Sequence, residues 1–275
     1  MLINNDAEVR QYLPNAIATC DGEASLYDKL QHHLLFTERW LADNVVGHEL
    51  LTAISGAVED ERRALCCQIV VLYAFYRALP SLDLVLTPNG FGIVSNGNLA
   101  PASSDRVKTL AESLIANRDE NIQQLLLLLA KDSGWRSSEQ GRWFAATLFP
   151  TLELAEYAGF RTDVWRNYKT LREQIISIED ELAEKYISKE VYAKLREHFQ
   201  SRSVTEAERP IIRLLRQTEL ELVAGKALNY ERVISLVQRI REDGEHFPEW
   251  KTSSTAMLFC RPAFHNEKHS GGYWW

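Results

Sequence analysis

Cysteine is scarce in this sequence: four in 275 residues, two of them adjacent, give no disulfide framework. That pattern fits a reducing compartment or the products assembled in one. Basic charge is in deficit as well, with 31 Lys plus Arg against 38 Asp plus Glu and a net charge of −7. Binding nucleic acid by bulk charge is thereby excluded, because neutralising phosphates needs clustered cations. Long apolar runs are also lacking. No stretch approaches the ~20 residues needed to cross a bilayer, so no membrane is expected as a partner. The opening residues, MLINNDAEVRQYLPN, lack the basic region and apolar run of a signal peptide, and intracellular synthesis is expected.

What is present is the composition of a soluble globular chain, 45% hydrophobic and 25% charged, long enough for one large domain or two modest ones. The apolar periodicity is helical. Leu26, Leu30, Leu34 and Leu41 form one stripe between Ser25 and Asn44, with Trp40 beside it and Gly47 as a stop. A second helix, from about Val58 to Ala78, is apolar nearly all round and ends before Pro80. A third runs from Asp105 to Lys131, and its leucine run Leu125 to Leu129 needs cover on more than one face. In the second half, Thr162 opens a helix through Leu182. Ser188 and Asn229 can cap two more, and Thr205 with Glu208 forms a capping box. The only β signal is DLVLTPNGFGIVS, read as a hairpin at about 83–95 with a Pro-Asn-Gly turn.

The expected fold is therefore mainly α: a multi-helix bundle with one β-hairpin and an irregular, aromatic C-terminal segment. Three regions are expected: a helical subdomain with the hairpin (1–134), a second helical subdomain (135–243) and an extended segment (244–275). The halves share a helix order, each with an aromatic-Pro or Leu-Pro lead-in, YLPNA at Tyr12 and LFPTL at Leu148. Each also has a late helix opening on an acidic-Arg-Val triplet, Asp105-Arg106-Val107 and Glu231-Arg232-Val233. Either a duplication or ordinary helical redundancy accounts for this.

Catalytic motifs are missing. There is no G-x-S-x-G, no phosphate-binding loop and no dinucleotide fingerprint. Cys260, His265 and His269 give only a partial zinc set, without the second pair of ligands a structural site needs. Cys66 and Cys67 lack the C-x-x-C spacing of a redox pair and read as small buried hydrophobes. Glu179, Asp180, Glu181 and Glu184 read as a solvated helix face. Arg209, Arg213 and Arg216 share a face that Glu206, Glu208 and Glu219 can neutralise. No catalytic, cofactor or metal residue is assigned, and the chain is not read as an enzyme.

Two features suit association. Hairpin strands have edges that accept a partner's strand. The C-terminal segment carries aromatic side chains of the kind that fill pockets on partners. The expected contact residues are Leu84, Leu86, Phe91 and Ile93 in the hairpin, and Trp250, Phe259, Phe264, Tyr273, Trp274 and Trp275 in the segment.

The block DLVLTPNGFGIVSNGNLAPASSDRV, Asp83 to Val107, resembles a segment of an uncharacterised protein family of Bacteroides phages and prophages. LFPTLELAE, Leu148 to Glu156, is similar to a second block of that family. The resemblance implies a virion neck component, similar to the head–tail connector (adaptor or ring) proteins of tailed, crAss-like phages. It implies a mainly helical subunit in a homo-oligomeric ring, expected as a dodecamer, touching portal protein and tail or neck proteins. DNA would pass through the lumen without specific binding. The protein would be made in the host cytoplasm and reside in the virion. The competing readings are a tail-associated assembly protein absent from the finished particle, and a metal-binding enzyme or regulator.

Overall fold

The computed structural model describes residues 1–13, 25–82, 84–87, 90–93 and 103–259. The chain is mainly helical. The first half holds α1 (Asp6–Tyr12), α2 (Leu26–Leu41), α3 (His48–Gly56), α4 (Glu61–Ala78) and α5 (Ser104–Leu129). Between α4 and α5, β1 (Leu84–Thr87) and β2 (Gly90–Ile93) pair antiparallel, with Leu84 opposite Ile93 and Leu86 opposite Phe91. The turn residues Pro88 and Asn89 lie outside the described residues. Two short helices, α6 (Ser133–Ser137) and α7 (Glu139–Ala145), close this half. The second half holds α8 (Glu153–Tyr157), α9 (Val164–Leu182), α10 (Lys189–Gln200), α11 (Glu208–Val223) and α12 (Tyr230–Glu242), closed by α13 (Pro248–Lys251) and α14 (Ser254–Phe259).

Local chemistry sets the helix starts. Asn5, Ser25, Asp60, Asp132, Ser138, Ser188 and Asn229 each accept a backbone N–H of the helix they precede. The capping box forms at α11: Thr205 N–H donates to Glu208 Oε2 at 2.9 Å, and Glu208 N–H to Thr205 Oγ1 at 3.3 Å. The central helix α4 buries Cys66, Cys67, Ile69, Val70, Val71, Leu72, Ala74 and Ala78 against α2 and α5. By length and composition alone, the helical stretch Glu61–Ser81 could cross a membrane, which corrects the sequence expectation that no run could. Its apolar side chains here pack within the protein.

Both long first helices end in the same unusual way. The last turn of α2 widens into a π-helical segment, Ala42–Val46, and that of α9 into Ala183–Ile187. Gly47 (φ 91, ψ 144) and Ser188 (φ 86, ψ 147) then reverse the chain into the following helix. Gly47 N–H donates to Ala42 O at 2.9 Å, as Ser188 N–H does to Ala183 O at 2.9 Å. The sequences LADNVVGHELL and LAEKYISKEVY align across these elbows without a gap, Leu41 with Leu182 and Gly47 with Ser188.

One apolar cluster runs from Leu2 to Ala256 through both halves. Two expected boundaries are corrected by the packing. A division at 134/135 cuts α7 and Trp135 away from the α2 elbow on which they sit. An extended segment beginning at 244 is also not found, because α13 and α14 form and pack on α10, α12 and the α9 elbow.

Candidate functional site

Each elbow is held by a short helix pair that comes from far along the chain. Trp135, buried at the start of α6, donates its indole Nε1–H to Val45 O at 2.9 Å. Trp250, in α13, donates to Tyr186 O at 3.4 Å, and Tyr186 aligns with Val45. A π-turn leaves such carbonyls short of helical partners, and a buried orphan carbonyl costs ~1–3 kcal/mol. Two residues earlier on each elbow, Asp43 O accepts from Gln140 Nε2 at 3.2 Å and Glu184 O from Thr255 Oγ1 at 3.3 Å. Ser138 Oγ donates to Trp135 O at 2.7 Å and accepts Gly141 N–H at 3.1 Å. Ser253 Oγ does the same with Trp250 O at 2.7 Å and Ala256 N–H at 3.1 Å. Across the outer side, Asp43 meets His48 at 2.6 Å and Glu184 meets Lys189 at 2.6 Å.

Each half also clasps the segment that leads into it. Glu38 Oε2 accepts Leu2 N–H at 3.0 Å, and its aligned counterpart, Glu179 Oε1, accepts Leu148 N–H at 2.7 Å. Matching cavities lie beside these carboxylates. One, of about 370 Å³, includes Glu38, Ala42, His48, Leu51 and Ser55 in its wall. The other, of about 190 Å³, includes the aligned Glu179, Ala183, Lys189, Tyr192 and Arg196. The lead-in of the first half is thus Leu2, not YLPNA at Tyr12; Pro14 and Asn15 lie outside the described residues.

The second half differs in its buried polar network. Glu179 and Glu219 are both enclosed, and Tyr192 Oη donates to Glu219 Oε1. Arg196 Nη1 sits 3.5 Å from Glu179 Oε2 and donates to Ala146 O at 2.7 Å. Burial, and for Glu179 the nearby Glu219, pushes both carboxyls up, so the pair retains a proton above the ordinary carboxylate range. The solvated face expected for Glu179 is therefore corrected: this carboxyl faces inward, onto the backbone joining the two halves. Its chemistry is that of a clamp. One oxygen accepts Leu148 N–H and the other lies 3.5 Å from Arg196 Nη1.

The junction between halves is dense. Arg172 on α9 donates to Trp143 O at 2.7 Å and lies 3.9 Å above the Trp143 ring. Trp143 also meets Trp165 and Tyr168, at 6.4 and 6.0 Å between ring centroids. Gln200 donates to Ala145 O. The last carbonyls of α7 are thereby taken up by side chains of α9 and α10, two of them arginines, which suits the negative end of a helix. Asp119 on α5 accepts Trp165 N–H at 3.1 Å and pairs with Arg118 at 2.6 Å; burial pushes its carboxyl up against that pairing. A cavity of about 250 Å³ opens beside the junction, with Leu126, Trp135, Arg136, Phe199 and Arg216 in its wall. Both of those arginines have a buried Nε–H without a partner.

The expected site residues fall into three groups. Leu84, Leu86, Phe91 and Ile93 are placed by backbone pairing. Phe264, Tyr273, Trp274 and Trp275, with Cys260, His265 and His269, lie outside the described residues. Trp250 is corrected: at 1% exposure it is core, held by its bond to the α9 elbow, and cannot anchor a partner. Phe259 is half-buried, its ring 6.3 Å from that of Tyr186. Among the three arginines, Arg209 pairs with Glu206 at 3.1 Å, but Arg216 reaches Glu153 at 3.5 Å. Glu208 pairs with His198 instead, while Glu219, buried with Tyr192, still feels the charge of Arg216. Burial pushes the Cys66 thiol far up, as suits a core residue. Among the described residues no three His, Cys, Asp or Glu side chains are grouped to hold a metal.

Compared with known proteins, residues 21–145 match a family of unknown function (DUF6712). The match ends where α7 ends, at Ala145. No curated protein and no solved structure matches the chain.

Proposed function

We propose that this chain acts by assembly: a structural virion protein, the head–tail connector of a tailed phage, forming a ring between portal and tail. In this reading the two halves are tandem copies of one helical unit, about 1–146 and 147–259. The observation that carries it is the junction itself. The closing helix of the first unit seats its outer face and last carbonyls on the first long helix of the second. That is a head-to-tail contact, and such contacts continue from subunit to subunit and close when the rotation allows. A rigid body with one shared core suits a ring wall.

The strands bearing Leu84, Leu86, Phe91 and Ile93, and the segment bearing Phe264, Tyr273, Trp274 and Trp275, are assigned to contacts with rings above and below. The net charge of −7 suits a lumen that passes DNA without holding it. No catalytic residue, cofactor or metal belongs to this reading.

Mass spectrometry of purified virions, with negative-stain imaging of the protein mixed with portal, tests it. Stoichiometric presence in particles and rings on the portal are expected. A chain absent from virions that ignores the portal would contradict the reading and favour an assembly factor.

A further inference from the structure

We infer that this chain docks head to tail on a second copy of itself, the outer face of α14 seating on α2 of the next copy as α7 seats on α9 within the chain. This rests on the pairing of the two halves and not on the virion reading.

The argument begins at the two closing helices. WRSSEQGRWF and WKTSSTAMLF align from Trp135 with Trp250 to Phe144 with Phe259. Their inner faces do the same work, holding the elbow carbonyls through Trp135 and Gln140, or through Trp250 and Thr255. Their outer faces differ in one respect. On α7 the outer residue is Trp143, covered by Trp165, Tyr168 and Arg172 of α9. On α14 the aligned residue is Leu258, and beside it lies Met257. Both are 73% exposed, and no described residue covers them. Leu258, in water at the position where Trp143 of the first unit is covered by the second, and the exposed Met257 beside it mark a face that awaits the next unit.

The complementary surface is α2, which aligns with α9. Tyr168, Arg172 and Ile176 of α9 correspond to Tyr27, Gln31 and Leu35. Leu35 is 49% exposed and Gln31 is exposed, although both lie on a helix whose opposite side is core. Gln31 carries an amide N–H₂ where Arg172 donates to the closing helix, so the polar contact has a counterpart. The occupant is thus a second copy of this chain, presented in a fixed orientation. The face offered and the face accepting are different surfaces, so the contact is heterologous and propagates.

Site-directed cross-linking of the full chain tests this. In a Cys20→Ser, Cys260→Ser background, protein carrying Leu258→Cys is mixed with protein carrying Gln31→Cys and treated with a short bismaleimide. The expected product is a two-chain species in the mixture and not with either protein alone. Product from Leu258→Cys alone, equal product when Tyr230→Cys replaces Gln31→Cys, or no product would each overturn the inference. Independently, Leu258→Asp, a change at an exposed position, should weaken self-association in sedimentation by roughly tenfold or more at unchanged helicity. An unaltered association constant would overturn it. Cross-linking together with absence from virions would leave this inference standing and remove the connector reading.

Discussion

At the residue scale, Gly47, Ser188 and Trp135 carry the geometry of the elbows. Gly47 sits at φ 91, ψ 144, a conformation open to glycine and costly for other residues, and an added Cβ would lie 3.1 Å from Gln140 Oε1. Gly47→Ala should cost ~1–3 kcal/mol in denaturant unfolding. Ser188 occupies the same conformation and offsets the strain by capping α10 through Val191 N–H at 3.2 Å. Trp135→Phe keeps most of the buried ring but leaves Val45 O unpaired, and a loss of ~1–3 kcal/mol in equilibrium unfolding is expected. The buried pair Glu179 and Glu219 gives stability a pH dependence. Because burial raises both carboxyls above their unfolded values, the folded state keeps a proton that the unfolded chain has lost. Their contribution is full below the unfolded carboxyl range and falls as pH rises toward the raised folded values, by at most ~1.4 kcal/mol per pH unit for each proton. Unfolding followed against pH should show this decline flattened in Glu179→Gln, which keeps an oxygen for Leu148 N–H. An equal slope in wild type and variant would contradict the buried-proton account.

At the element scale, much was legible and some was hidden for identifiable reasons. Apolar spacing located the long helices, and the caps Ser188 and Asn229 and the Thr205–Glu208 box sit where side-chain chemistry put them. The helices α13 and α14 were missed because Pro248 and the polar run Thr252 to Thr255 look like breakers. Proline at the first turn of α13 costs nothing there, and Ser253 starts the next helix by accepting Ala256 N–H. The clue lay in Trp250, whose surroundings repeat those of Trp135. The π-turns were hidden because a five-residue widening leaves no trace in a three-to-four-residue period. In the sequence Glu179 reads as a solvated face because its neighbours Asp180 and Glu181 are charged as well; only the alignment with Glu38 marks it as a clasp. If α13 holds the α9 elbow through Trp250, then Trp250→Ala should cost ~3–5 kcal/mol, as large aromatic truncations in cores do. Hydrogen exchange should then quicken at Ala183–Ile187 before it does at the α2 elbow. Uniform change across both elbows would contradict that assignment.

At the scale of the whole molecule, the sequence suggested two halves but placed their border too early. The cause is physical: the segment 135–145 closes the first half by packing backward onto α2, while its last residues are gripped by the second half. A chain built this way holds one head-to-tail junction internally and presents the two halves of another at Leu258 and on α2. Removing the C-terminal residues Gly271 to Trp275 should leave helicity by circular dichroism intact while impairing capture of the portal. Unchanged capture would remove that segment from the docking account. The most direct test of the central claim is the mass of the purified chain in solution, measured by light scattering across a concentration series. Head-to-tail self-association predicts a mass that rises in steps of 31.5 kDa and levels off at a closed multiple. A mass of one chain at every concentration would contradict it.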